Sequence, residues 1–167
     1  MTPDDFMNRA VEIAATAENE PGALPYGAVV VLDGKIVGEG LNRAKAAHDP
    51  TSHGEVEAIR DACRRLETTN LEGAVMYTTA EPCAMCVATM LLAGFGSLVY
   101  AYDADQSSAF IGPLAARDPS LKRRYFAAEL RRQVGLPADA RDLKARRAGI
   151  AAARRVFQTF AARALKS

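Results

Sequence analysis

The chain has 167 residues, 49% hydrophobic and 25% charged, which excludes a disordered or fibrous protein and is enough to bury one core without disulfides. No apolar run approaches the roughly 18 residues of a membrane-spanning helix, and the acidic start Met1-Thr2-Pro3-Asp4-Asp5 lacks a hydrophobic signal core, so the expectation is a cytoplasmic, reducing setting with no membrane partner. The net charge of +1 hides an asymmetry: residues 1–116 carry 7 Lys/Arg against 16 Asp/Glu, a net −9, and residues 117–167 carry 14 against 4, a net +10.

Thr2-Pro3-Asp4-Asp5 predicts a helix start, with a capping hydroxyl, proline in the first turn and acids beside the exposed N–H groups. Phe6, Ala10, Ile13, Ala14 and Ala17 continue it as an apolar stripe, and the segment from Asn19 to Pro25 breaks it. Ala28 to Leu32 reads as a buried strand, Asp33-Gly34 as a tight hairpin and Lys35 to Leu41 as the returning strand. A loop from Asn42 to Thr51 leads to a helix over Ser52 to Leu66, with Val56, Ile59, Ala62, Cys63 and Leu66 on its apolar side. Ala74 to Thr79 predicts a strand. A helix runs from Pro82 or Cys83 to about Ala93, and a strand from Leu98 to Tyr102. Asp103 to Pro119 reads mainly as loop, Leu121 to Val134 as helix, and Asp139 to about Lys166 as a long Ala/Arg-rich helix. Strands alternating with helices after a hairpin predict a layered α/β domain with a mixed sheet.

Two segments carry chemistry: Thr51-Ser52-His53-Gly54-Glu55 and Glu81-Pro82-Cys83-Ala84-Met85-Cys86. Residues three apart share a helix face, so Cys83 and Cys86 can address one ion. The N-terminus of a helix favours thiolates, which soft divalent metals prefer. Alone, Cys-x-x-Cys is also the pattern of a redox pair. A catalytic zinc site needs a third protein ligand and an open position; His53, opening one helix as Cys83 opens the next, fits that role if the two helix starts meet at one end of the sheet. A carboxylate beside such a metal can take a proton from water and pass it onward, which is the role read for Glu55.

His-x-Glu followed by Pro-Cys-x-x-Cys resembles the signature of the cytidine-deaminase-like zinc deaminases. The resemblance spans the opening strand pair, the Asn42 loop and the strand before Glu81, roughly residues 1–116. Asp49-Pro50-Thr51-Ser52-His53 and Glu81-Pro82-Cys83 look like bacterial guanine deaminases and tRNA adenosine deaminases, whereas Gly54 between His53 and Glu55 is more like fungal cytosine deaminase. The resemblance implies a three-layer α/β/α fold with a central mixed sheet and a helical C-terminal extension. It implies Zn2+ held by His53, Cys83 and Cys86, catalysis by Glu55, and a base contact from Asn42. An acid near the segment from Asp103 to Phe110 assists in guanine deaminases, and Asp103 and Asp105 are the candidates. Glu81 either orients a helix start or contacts substrate. The family also implies a homodimer or a larger assembly, to which Ala84, Ala88 and Ala93 could contribute a close-packing face.

The organisation expected is a catalytic core over 1–116 and a basic helical extension over 117–167 packed on it, one domain overall. The function expected is zinc-dependent hydrolytic deamination of a nucleobase or nucleoside. Guanine or a related aminopurine ranks first, cytosine second and adenosine in tRNA third. The alternative of another class is an inactive scaffold that binds RNA through its basic tail, or a structural zinc protein, which would need a fourth ligand. Docking of the tail on an acidic surface is favoured over nucleic-acid binding because it has apolar positions at helical spacing. His48 reads as an exposed loop residue, Cys63 as buried, Tyr102, Phe110 and Met85 as packing, and Arg123, Arg124, Arg131 and Arg132 as a solvated face.

Overall fold

A computed structural model describes residues 1–121, 125 and 127–164. By contact it divides into two compact units, Met1–Arg131 and Arg132–Ser167. The first unit extends past residue 116, so the segments after β4 that line the site described below belong to it.

Helix α1 (Pro3–Ala15) begins with Thr2 and Asp5 in a reciprocal capping box, and a short 3-10 turn (Thr16–Asn19) follows it. Strand β1 (Leu24–Leu32) is longer than the apolar run alone predicts and takes in Pro25. It turns through Asp33 and Gly34, both at positive φ, into β2 (Lys35–Asn42); that two-residue turn matches the twist of paired strands. Helix α2 (Gly54–Leu66), β3 (Val75–Ala80), α3 (Ala84–Ala93) and β4 (Ser97–Tyr102) complete the alternation. The sheet order is β2-β1-β3-β4, with β1 antiparallel to both neighbours and β3 parallel to β4. Two apolar layers flank the sheet. Phe6, Ala10 and Ile13 of α1 pack with Val29, Val31, Leu41 and Tyr77 on one face. On the other, Val56, Ile59 and Ala62 of α2 and Cys86, Met90 and Ala93 of α3 pack with Ala28, Val30 and Met76. The α/β/α layering and mixed sheet are those the sequence led us to expect.

Several boundaries differ. His53 and Cys83 cap their helices in extended backbone instead of lying inside them. The segment after Asp103 is a helix, α4 (Ala104–Arg117), despite Pro113; Asp103 and Gln106 form a capping box whose sequence signal outweighs the Gly-Pro pair. Helix α5 (Ala127–Gly135) occupies part of the helix expected over Leu121 to Val134, and residues 122–124 and 126 of that stretch lie outside the described residues, Arg123 and Arg124 among them. Cys63 is half-buried and Leu66 is exposed, at the end of the helix stripe where it leaves the core. In the second unit, α6 (Ile150–Ala164) starts at Ile150, well after Asp139. All its described residues are exposed, Phe157 and Phe160 included.

Candidate metal centre

Strands β2, β3 and β4 run parallel to one another, so the helices that follow them all begin at one end of the sheet. The strands that precede the two metal-bearing helices are not neighbours, because β1 lies between β2 and β3. Convergence survives because direction, not adjacency, decides which end the helix starts share. The insertion also brings the start of β1, with Leu24 and Tyr26, into the same space. Neither residue carries a sequence signal of its own, and sequence reasoning missed both.

His53 and Cys83 stand at the N-cap positions of α2 and α3, with no hydrogen-bonded side-chain cap of the usual kind. Cys86 is the third residue of α3, so Cys83 and Cys86 occupy the cap and N3 positions whose side chains approach each other at a helix start. The donors form a small triangle: Cys83 Sγ to Cys86 Sγ 3.6 Å, Cys86 Sγ to His53 Nδ1 3.6 Å, and Cys83 Sγ to His53 Nδ1 3.7 Å. Tetrahedral zinc with bonds of about 2.3 Å to sulfur and about 2.0 Å to nitrogen spaces such donors by roughly 3.6–3.8 Å. The triangle therefore fits zinc. Hydrogen bonding to Cys86 pulls the Cys83 thiol down to about 4, while that shared proton and burial push Cys86 up. Binding of zinc by such a pair is coupled to release of thiol protons. Among the described residues this is the one His/Cys/Asp/Glu group able to hold a metal, and it offers three donors, not the four of a closed structural site.

Glu55, the second residue of α2, is buried, and its carboxyl is raised chiefly by loss of solvent, with Cys83 adding like charge. It shares a cavity of about 410 Å³ with His53, Cys83, Asn42, Tyr26 and Met85. Ser107, Ser108 and Ile111 of α4 and Leu130 of α5 form its far wall. Asn42 is buried and closes the end of β2 by accepting the Ala44 N–H at 3.2 Å, so the turn role and a place in the cavity coexist. Glu81 lines the cavity as well. Its Oε2 accepts the Ala104 N–H at 2.9 Å and its Oε1 accepts from Arg131, which is exposed as expected and in addition makes this specific pair. Asp103 caps α4, exposed and outside the cavity lining, and Asp105 is likewise absent from it. Tyr102 and Phe110 meet edge to face at 5.8 Å and stand exposed, away from the cavity. His48 is exposed.

Gly54 has a packing reason. A Cβ there would lie 2.5 Å from the Tyr26 carbonyl oxygen, and a Cβ on Gly40 would lie 2.1 Å from the Gly54 oxygen. Close approach of α2 to β1 and β2 sets the glycine, which removes it as a marker of substrate.

Three donors placed to hold a metal, a buried carboxyl group on the same cavity and this sheet order fit a zinc deaminase site. Residues 1–102 match the family model for the cytidine and deoxycytidylate deaminase zinc-binding region, and the chain belongs to that family. It is 41% identical over 101 residues to guanine deaminase of Bacillus subtilis (strain 168), covering 60% of this chain and 65% of that protein. It is also 41% identical over 81 residues to a tRNA-specific adenosine deaminase of Aquifex aeolicus, covering 48% and 54%. The chain thus matches somewhat over half the length of these relatives. The X-ray structure of guanine deaminase from Bacillus subtilis superposes with a TM-score of 0.79 at 29% identity, over 96% of this chain and 94% of that one.

Proposed function

We propose that the chain is a zinc-dependent aminohydrolase acting on a free nucleobase or nucleoside, with guanine or a related aminopurine first. The observation that carries this reading is the three-donor group lining a cavity of about 410 Å³, with Glu55 buried beside it. When bound, zinc supplies Lewis acidity that makes water acidic near neutral pH. Glu55 would take one proton from water and give it to a ring nitrogen as the hydroxyl adds to the ring carbon, then take the second proton from that hydroxyl and give it to the amine, so that the oxygen becomes the carbonyl and ammonia leaves; burial, which raises its carboxyl, suits it to hold a proton between those transfers. Asn42, with Oδ1 engaged by Ala44, offers its carboxamide nitrogen to the base. Tyr26 and Ser107 line the same cavity as Glu55.

Support for a purine comes from the overlay with guanine deaminase, which extends along nearly the whole chain. Cytosine loses the argument from Gly54, and adenosine in tRNA rests on the basic residues beyond 117. A homodimer is part of the reading; Leu91 and Leu92 of α3, 72% and 89% exposed, are the apolar residues a partner would cover, whereas Ala93 faces the core.

The test is ammonia release from guanine, guanosine, cytosine, adenine and a tRNA anticodon stem-loop. Guanine or guanosine should react fastest. Activity confined to the stem-loop would overturn the substrate class, and no ammonia from any of them with zinc loaded would overturn the enzyme reading in favour of a binding scaffold. RNA binding by such a scaffold would weaken steeply with salt, whereas turnover of a free base would not.

A further inference from the structure

Glu81 joins three elements. Its backbone N–H donates to the Tyr102 carbonyl at the end of β4, at 2.7 Å. Its Oε2 accepts the N–H of Ala104, the first residue of α4, and its Oε1 is held by Arg131 of α5. The same guanidinium nitrogen donates to the Pro82 carbonyl at 3.4 Å, one residue before the metal donor Cys83. Helix α4 contributes Ser107, Ser108 and Ile111 to the cavity, and α5 contributes Leu130. One carboxylate thus fastens the far wall of the cavity to the turn that carries the metal donor. Isolated surface ion pairs contribute little. This pair is only partly exposed, 43% for the Arg131 side chain and 24% for Glu81, and the carboxylate oxygens bond to two different elements. A charge-assisted contact of that kind fixes geometry as well as energy.

We propose that Arg131 is a positioning residue for the deamination described above, on which this inference rests. By fixing Glu81 and Pro82 it holds α4 and α5 closed against the metal turn, so that the wall meets the substrate already formed. Lysine, a single point charge on a flexible stem, replaces this only in part. The direct-contact reading of Glu81 differs in its consequence: it makes E81Q raise KM further in the R131M background, whereas the clamp adds little there.

The experiment compares the unsubstituted protein with R131M, R131K, E81Q and the E81Q/R131M double variant, all zinc-loaded. Steady-state ammonia release is measured on the base of the panel that reacts fastest, with zinc content and amide hydrogen exchange at Ala104 alongside. Expected for R131M are a KM about tenfold higher, kcat within about twofold, unchanged zinc content and faster exchange at Ala104, with R131K intermediate. R131M should add little in the E81Q background, because both act through one contact. An R131M variant with unchanged KM and unchanged Ala104 exchange, or one that loses zinc and kcat together, would overturn the proposal. If no base in the panel reacts with the unsubstituted protein, it is the function that fails, and Ala104 exchange decides the clamp alone: faster in R131M upholds it, unchanged refutes it.

Discussion

Replacing Gly40 with alanine tests how tightly the metal centre depends on the spacing between β2 and α2. A Cβ at Gly40 would stand 2.1 Å from the Gly54 oxygen and 2.3 Å from the Ala58 nitrogen, where ordinary contact begins at 3.4 Å. Both neighbours are backbone atoms, so no side-chain rotation relieves the clash, and α2 must move outward by about 1 Å. Overpacking of this kind costs about 1–3 kcal/mol. At roughly 2–4 °C per kcal/mol for a chain of this size, Tm should fall by about 2–12 °C. The movement also displaces His53 and Glu55 from Cys83 and Cys86, which sit on α3. A misplacement of about 1 Å is worth roughly a hundredfold in turnover. Gly38 supplies the control. Its Cβ would lie 2.3 Å from the Ala58 oxygen and 2.7 Å from the Ala62 nitrogen, about a turn farther along α2. Gly38→Ala should therefore lose comparable stability and keep more of its zinc and turnover. Calorimetry, metal analysis and ammonia release on the two variants decide the matter. A Gly40→Ala protein with unaltered Tm and zinc content, or equal zinc loss in both variants, would refute the reasoning.

Replacing Glu55 with Gln should leave zinc bound and lower ammonia release by about 10²–10⁴-fold, read by metal analysis and initial rates. Cys86→Ser should bind zinc far more weakly. Because protons compete with zinc for the ligating thiolates, zinc should leave the unsubstituted protein as pH falls, measured as metal released to a chromogenic chelator across a pH series. The Glu39 carboxyl is held below its usual range chiefly by hydrogen bonds from Arg9, which tie β2 to α1. A lowered carboxyl favours the folded state above the unfolded value of 4.5 and loses that contribution as pH falls through the folded value. Glu39→Gln should therefore lower stability at neutral pH by about 1 kcal/mol or less and flatten the acid limb, read from urea midpoints between about pH 3 and pH 7.

Local signals were legible in the sequence where they depend on near neighbours. The Thr2–Asp5 box, the Asp33-Gly34 turn and the alternation of elements all appear as read, because capping, turn geometry and side-chain periodicity act over a few residues. One local signal was missed: the Asp103–Gln106 box that starts α4 is present in the sequence, yet Asp103 to Pro119 reads mainly as loop. The Ala/Arg-rich run after Asp139 has helical composition throughout, yet helix begins only at Ile150.

The amino-acid sequence by itself determined the donor chemistry: an imidazole and two thiols at helix starts, with a carboxylate two residues after the imidazole. Strand order decided the rest. Placing β1 between β2 and β3 carried Tyr26 and Leu24 to the cavity, and the return of α4 and α5 to that end paired Glu81 with Arg131 across fifty residues of chain. It also left Asp103 capping a helix outside the cavity. Spacing along the chain reports contacts within a turn or a hairpin; contacts between distant segments depend on how buried faces stack, which no short pattern encodes.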